Sequence, residues 1–166
     1  MATTLALTRE RVKQVLTDVG KQTFSDGDID IGIRLALATY SQARPYQAIG
    51  EVTLTGDTRE FDISSLTELV NVTRVWLPYT ASDPEHPPRW RTFEHWQDAK
   101  IIYVEDDSSP VTGNVARVFY TKQQTLNGLD SAVVTTLALD DEMLLATGSA
   151  GYAARSYARK KTEKSE

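Results

Sequence analysis

The hydrophobic positions near the start of the chain repeat with the period of an α-helix. The stretch "LTRERVKQVLTDVG" predicts a first helix, which Thr8 would cap and Gly20 would end. Steps of three and four residues between apolar positions give this helix one hydrophobic face. That face is formed by Val12, Val15, Leu16 and Val19.

A second and longer helical pattern follows in "FSDGDIDIGIRLALATYSQARP". Ser25 with Asp28 three residues later is a variant of the capping box, and Pro45 ends the helix. Ile31 and Leu35 broaden the apolar surface, so we expect this helix to be buried on more than one side. Its main face consists of Ile29, Ile33, Ala36, Leu37 and Tyr40.

The hydrophobic period then changes from 3.6 to 2, which indicates β-strands. "EVTLTGDTREFDIS" predicts a hairpin around Gly56 and Asp57. Further strands are predicted in "LVNVTRVWLPY", with a register shift near Thr73, and in "AKIIYVED" and "NVARVFYTK". Residues 78–92 contain four of the six prolines, which is typical of a long loop.

The last third of the chain returns to helix. The closing helix is expected to begin after Leu139, with Asp140 or Asp141 as its cap. Helices at both ends and strands in the middle predict an α+β fold. We expect residues 1–48 and 136–166 to form a small helical bundle with a basic C-terminal tail. Residues 49–135 would form an antiparallel, sheet- or barrel-like β insertion between helices two and three.

Charge is distributed unevenly along the 166 residues, whose net charge is −5. Residues 155–166 hold five basic and two acidic side chains, so they carry +3 and the rest carries −8. An acidic body argues against sequence-specific DNA binding. No apolar run is long enough to span a membrane, and the first residues do not resemble a signal peptide, so synthesis in the cytoplasm is expected. The absence of cysteine excludes disulfides, thiolate metal sites and cysteine nucleophiles.

The candidate chemistry of the chain is sparse. "DGDID" has the first spacings of a calcium loop, but Ile31 and Leu37 stand where glycine and a bidentate glutamate are required, so an acidic helix start is favoured. The two histidines, His86 and His95, match no metal-ligand spacing. Because no nucleophile–base pair or phosphate-binding loop is present, we expect no enzymatic activity, no cofactor and no metal.

Tryptophans and arginines concentrate around the proline-rich loop. One interpretation is a partner contact, since both residue types are enriched at interface hot spots. The other is that the tryptophans cap a β core while the arginines are solvated. A carbohydrate or other ligand could also use the three indoles, whereas stacking on single-stranded nucleic acid is disfavoured by the acidic surroundings. The residues are Trp76, Trp90, Trp96, Arg89 and Arg91, with Arg74 nearby.

The closing helix carries a stripe of small residues. This stripe would pack either against helices one and two of the same chain or against a neighbouring subunit. The helix then ends in basic residues, which are suited to an acidic partner. The small-residue stripe consists of Thr147, Ala150, Gly151, Ala154 and Ala158. The remaining candidate contacts are Tyr157 and the cations Arg155, Arg159, Lys160 and Lys161.

Three segments resemble head–tail connector proteins of tailed bacteriophages, also called adaptor or head-completion proteins. "TTLALDDEMLLATGSAGYAARSYARKK" is similar to the family's C-terminal segment, and "FYTKQQTLNGLDSA" to the stretch before it. "FSDGDIDIGIRLALATYSQARP" resembles the family's early helix. Ala138 stands where a proline is common, and the proline-rich loop is peculiar to this chain.

The resemblance implies a non-catalytic virion protein at the head–tail interface. Such proteins form a ring, commonly of twelve copies, beneath the portal protein. The C-terminal helix and tail would dock on the portal, and the β part would face the next neck or tail protein. Double-stranded DNA would pass through the ring without sequence-specific binding, and no membrane is involved. A tail-terminator or gatekeeper protein is the nearest alternative, and a ligand- or carbohydrate-binding module is a further one.

Overall fold

The computed structural model describes residues 3–18, 20, 23–82, 89–105 and 110–163. Val19, residues 83–88 of the proline-rich loop with His86, and the last three residues of the tail lie outside them. The described chain has a mixed α+β fold with three α-helices and seven strands, and the strands lie between helices two and three as predicted. The elements are α1 Leu5–Val15, α2 Asp26–Ala43, β1 Tyr46–Thr53, β2 Glu60–Asp62, β3 Leu69–Trp76, β4 Trp90–Arg91, β5 Phe93–Trp96, β6 Ile101–Val104, β7 Val115–Lys122 and α3 Glu142–Glu163, which a 3₁₀ turn at Leu139–Asp141 precedes.

The chain forms two compact units. One combines Met1–Tyr46 with Gln123–Glu166, and the other comprises Gln47–Lys122. Residues 123–135, which the sequence analysis placed in the β insertion, belong to the helical unit. Hydrogen bonds explain this placement: the Gln124 amide donates to Ser41 Oγ (2.9 Å), and the Leu5 amide donates to the Asn127 carbonyl (2.9 Å).

The helix starts follow local capping rules. The capping box of α2 is confirmed, because Ser25 Oγ accepts from the Asp28 amide while the Asp28 carboxylate accepts from the Ser25 amide. The predicted cap of α1 is wrong. Thr4 caps this helix by accepting from the Leu7 amide, and Thr8 lies inside the first turn, where its hydroxyl donates to the Thr4 carbonyl (2.9 Å).

The core of the helical unit forms where α2 and α3 come very close. A Cβ built on Gly32 would lie 2.5 Å from the Ser149 carbonyl oxygen and 3.3 Å from Ala153 Cβ. Only a glycine lets two helix backbones approach to this distance. Around this contact, the core consists of Val12, Phe24, Ile29, Ile33, Ala36, Leu37, Leu126, Leu129, Leu137, Leu145, Ala146, Ala150 and Ala153.

The β unit contains two antiparallel sheets. Their strand orders are β1-β7-β3-β4 and β2-β6-β5. The predicted hairpin is wrong, because β1 and β2 lie in different sheets. Asp57 accepts hydrogen bonds from the amide and hydroxyl of Thr112 just ahead of β7, so the predicted turn is bound to the strand that β1 pairs with. The predicted register shift in β3 is confirmed between Val72 and Arg74.

Strands β4 and β5 were missed by the sequence analysis. β4 lies within the predicted loop, where it pairs Trp90 with Trp76 and Arg91 with Val75. β5 is an edge strand whose residues are exposed or half-buried, so its hydrophobic signal is weak. The core of this unit consists of Val52, Leu54, Phe61, Ile63, Leu66, Val72, Val75, Leu77, Ile102, Val104, Ala116, Val118 and Tyr120.

Among the described residues, none of the three helices combines the length and apolar content that crossing a membrane requires.

Candidate interaction surfaces

The inner side of helix α3 is buried in the core of its own unit. The small residues on this side, Ala146, Ser149 and Ala153, are at most 1 % exposed. Ala150, which the sequence analysis counted in the interface stripe, is also buried and belongs to this core. Tyr157 is half-buried, and its ring centroid lies 5.2 Å from that of Phe24. Two of the predicted interface residues therefore contact the same chain.

The opposite side of α3 is open. Thr147, Gly151, Ala154 and Ala158 are all exposed, and they follow one another at steps of four, three and four residues. Leu144 extends this row toward the helix start and is 61 % exposed. Such spacing places the five side chains on one stripe of the helix. We call this set the α3 stripe.

The two glycines of α3 differ in their surroundings. A Cβ on Gly148 would meet Ala36 Cβ at 3.5 Å, an ordinary contact within the helical unit. A Cβ on Gly151 would have no heavy atom of the described residues within 4 Å. Gly151 therefore serves no close packing within that part of the chain, although a glycine inside a helix costs about 1 kcal/mol relative to alanine.

Helix α2 presents a second apolar surface in the same unit. Ile31 and Leu35, which were expected to be buried, are each 46 % exposed. They lie four residues apart and hence on one face, and Ala38 continues that face and is exposed. The helical unit thus carries two different exposed apolar rows, one with bulky and one with small side chains.

The basic residues at the end of α3 have different contacts. Lys160 donates to Asp28 at the start of α2, and Arg159 pairs with Glu163 one turn later (3.0 Å). The ammonium of Lys161 lies 5.6 Å from the ring centroid of Tyr157. Arg155 is exposed. The hydrogen bonds from Lys160 and Ser25 hold the pKa of the Asp28 carboxyl below its usual range, so this pair ties the helix end to its own unit.

In the β unit, aromatic rings and two arginines form a continuous cluster. Trp90 contacts Trp76 and Phe119, at centroid distances of 6.0 and 5.4 Å. The Arg74 guanidinium lies 5.4 Å from the Trp90 centroid. At the other end, Arg117 lies 4.5 Å from the ring of Tyr79, which contacts Trp76 edge-on. We call the set Arg74, Trp76, Tyr79, Trp90, Arg117 and Phe119 the aromatic–arginine cluster.

The structure brings together only part of the predicted contact set of the β part. Trp76 and Trp90 join the cluster, but Trp96 lies on β5 in the other sheet, where its ring stacks on Tyr103 at 6.0 Å. Arg91 donates from Nε to the Leu77 carbonyl (2.6 Å), and the Arg89 carbonyl accepts from the Leu77 amide (3.2 Å). Arg74, which the sequence analysis noted beside the predicted set, joins the cluster over the Trp90 ring. Tyr79, Arg117 and Phe119 were not in that set, and strand pairing reveals them.

Few titratable side chains of the described residues lie where they could act together in catalysis. Among the described residues, no three histidine, aspartate or glutamate side chains are grouped so that they could hold a metal ion. His95 lies on β5, and burial lowers the pKa of its imidazole from 6.5. Both of its ring nitrogens are shielded from solvent without a hydrogen-bond partner in the described part of the chain.

Comparison with known protein families and with curated proteins gives no match to this chain. The connector resemblance therefore stays a prediction from the sequence.

Proposed function

We propose that this chain is a structural head–tail connector of a tailed bacteriophage, which forms a ring between the portal and the next neck or tail protein. The observation that supports this most is the α3 stripe. It is a row of small and apolar side chains, fully turned to solvent, in a helix whose inner side already builds a core. Contiguous exposed apolar surface of this kind commonly marks a protein–protein interface.

A ring needs two different complementary surfaces on each subunit, because its contacts are head-to-tail. The helical unit has such a pair: Ile31 and Leu35 on α2 provide bulky side chains, and the α3 stripe provides a shallow surface around Gly151 and Ala154. We infer that the α2 row of one copy packs on the α3 stripe of the next. Small residues would let the two helix backbones approach closely there.

Gly151→Leu tests this contact. The added Cβ meets no described atom within 4 Å beyond the neighbouring helix backbone, and leucine favours helix over glycine by about 1 kcal/mol, so the isolated protein should fold at least as well as the native one. It should nevertheless fail to form rings on purified portal, as seen by negative-stain microscopy. Gly151→Ala is the matched control, since it gives a similar gain in helix propensity with little added bulk. Complete rings from Gly151→Leu would contradict the proposed contact.

Cross-linking identifies the two surfaces directly, because the natural chain has no cysteine. Chains carrying only Leu35→Cys are mixed with chains carrying only Ala154→Cys, assembled on portal and oxidised. Any disulfide between the two variants joins different copies. We expect a covalent dimer from this mixture and none when Gln14→Cys, an exposed position on α1, replaces either partner. Equal dimer yields in all mixtures would rule out this arrangement.

The charge distribution of the chain suggests where the remaining partners bind. The basic end of α3 is proposed to contact the portal, and the β unit to face the neck or tail protein. Truncation of residues 159–166 removes Arg159, Lys160 and Lys161, and it should weaken portal binding in a pull-down without unfolding the domain. Unchanged portal binding would refute this role of the tail. The net charge of −5 keeps the DNA that would cross the ring from adhering to its wall.

A further inference from the structure

Arg74 lies beside the exposed ring of Trp90. It follows the bulge in β3, pairs in register with Phe119 on β7, and places its guanidinium over the Trp90 ring. The side chain is exposed, and within the described residues its guanidinium makes no hydrogen bond or ion pair. A guanidinium that lies over a ring keeps its N–H donors, which point outward in its own plane. Arg74 thus offers a fork of N–H donors that has no acceptor within the described part of the chain.

The charge around this arginine is unusual for the β unit. Residues 47–122 hold seven basic and twelve acidic side chains. Five of the seven basic residues lie on or next to β3, β4 and β7, at positions 74, 89, 91, 117 and 122. Arg117 lies 4.0 Å from Glu51 and Lys122 lies 3.4 Å from Glu68, whereas Arg74 forms no ion pair within the described residues. Within the described residues, Arg74 is therefore the cation of the aromatic–arginine cluster that lacks an acidic neighbour, and it is complementary to an anionic partner.

The cluster fits a carboxylate better than a nucleic-acid base. Base stacking needs an open aromatic face, but the exposed ring here, Trp90, is already flanked by Arg74, Trp76 and Phe119. Carboxylates bind arginine in the plane of the guanidinium through two parallel hydrogen bonds, and the N–H donors of Arg74 have no acceptor within the described residues. Apolar side chains next to the carboxylate would cover Trp90, which is 44 % exposed.

We propose that the Arg74–Trp90 stack is a docking site for an extended polypeptide segment of a partner protein, rich in glutamate or aspartate and in aromatic residues. A carboxylate of the segment binds the Arg74 fork, and an aromatic side chain packs beside Trp90. This inference goes beyond the proposed connector role, because it concerns the β unit of a single chain and holds whether or not rings form.

The test uses the full chain and a synthetic peptide of alternating glutamate and tyrosine, with binding measured by isothermal titration calorimetry. A peptide with glutamine in place of glutamate and an oligo-dT strand serve as the other two ligands. We expect binding of the glutamate peptide alone. Arg74→Gln should weaken it about tenfold or more, as expected for a lost hydrogen bond to a charged group. Arg74→Lys should restore only part of the loss, since lysine lacks the fork.

Two variants act as matched controls. Lys100→Gln makes the same change of charge at an exposed position of the same unit, and Trp96→Ala removes an exposed indole from the other sheet. Neither should change the affinity. The proposal is overturned if the glutamine peptide binds equally well, if Lys100→Gln weakens binding as much as Arg74→Gln does, or if oligo-dT binds and is lost with Arg74→Gln. Failure of the wild-type chain to bind the glutamate peptide overturns it as well, whatever the outcome of the ring experiments.

Discussion

One methyl group added at Gly32 should destabilise the helical unit, whereas the same change at Gly151 should stabilise it. The Cβ of Gly32→Ala would lie 2.5 Å from the Ser149 carbonyl oxygen and 3.2 Å from the Ala153 amide nitrogen. Both are backbone atoms, so the contact is relieved only if α2 and α3 move apart. Gly151→Ala adds its methyl group where no described atom lies within 4 Å.

The expected magnitudes follow from two opposing effects. Alanine is favoured over glycine inside a helix by about 1 kcal/mol, and both sites gain this. Overpacking costs about 1–3 kcal/mol, and only Gly32→Ala incurs it. The net change in the free energy of unfolding is therefore a loss of up to about 2 kcal/mol for Gly32→Ala and a gain of about 1 kcal/mol for Gly151→Ala.

Urea denaturation followed by circular dichroism at the helix band measures both variants against the native chain. The midpoint should fall for Gly32→Ala and rise for Gly151→Ala, with the slope unchanged. Gly32→Ser, with a Cβ in the same place, should follow Gly32→Ala. If Gly32→Ala is as stable as Gly151→Ala, α2 and α3 do not approach as closely as described, and the account of the helical core is wrong.

Three further predictions concern side-chain interactions. Tyr40→Phe removes the hydrogen bond from Tyr40 Oη to the Asp141 carboxylate (2.6 Å), and it should lower the free energy of unfolding by about 1.5 kcal/mol in urea denaturation. Arg34→Ala breaks an ion pair with Asp130 in which both side chains are exposed, so the urea midpoint should stay close to that of the native chain; a clear fall of the midpoint would show that the pair is more than a surface contact. Burial lowers the pKa of the His95 imidazole below its unfolded value of 6.5. The neutral imidazole therefore contributes its full stability above pH 6.5, and this stability is lost as the pH falls through the pKa of the folded state. His95→Gln should flatten this pH dependence in urea midpoints measured from about pH 5 to 8.

The sequence predicted local features better than non-local ones. The α2 capping box depends on residues three positions apart, Ser25 and Asp28, so it could be read directly. The partner of β1 is β7, more than sixty residues away, and alternation of apolar residues does not reveal which strands pair. The turn residues at Gly56 and Asp57 therefore indicated a hairpin, whereas β1 and β2 lie in different sheets.

The candidate interaction surfaces likewise depend on non-local contacts that the sequence did not reveal. The small residues of α3 were visible in the sequence, but which of its two sides faces α2 depends on Gly32, in another helix. A helical wheel therefore placed the buried Ala150 and the exposed Gly151 on one stripe. Likewise, Trp96 is close to Trp90 in sequence but lies in a different sheet, whereas Arg74 and Phe119 are distant in sequence and meet at Trp90 through strand pairing.

The hydrogen bond between the Gln124 side-chain amide and the Arg44 carbonyl (2.8 Å) joins the two points at which the chain leaves and re-enters the helical unit. A short glycine-rich connector would therefore be long enough to join them in place of residues 47–122. Lineages of such proteins could then exchange or reshape the entire β unit by insertion and deletion at one narrow junction, while α1, α2 and α3 keep their core. Variation in the β unit would in this way be uncoupled from the α2 and α3 surfaces that are proposed to join copies.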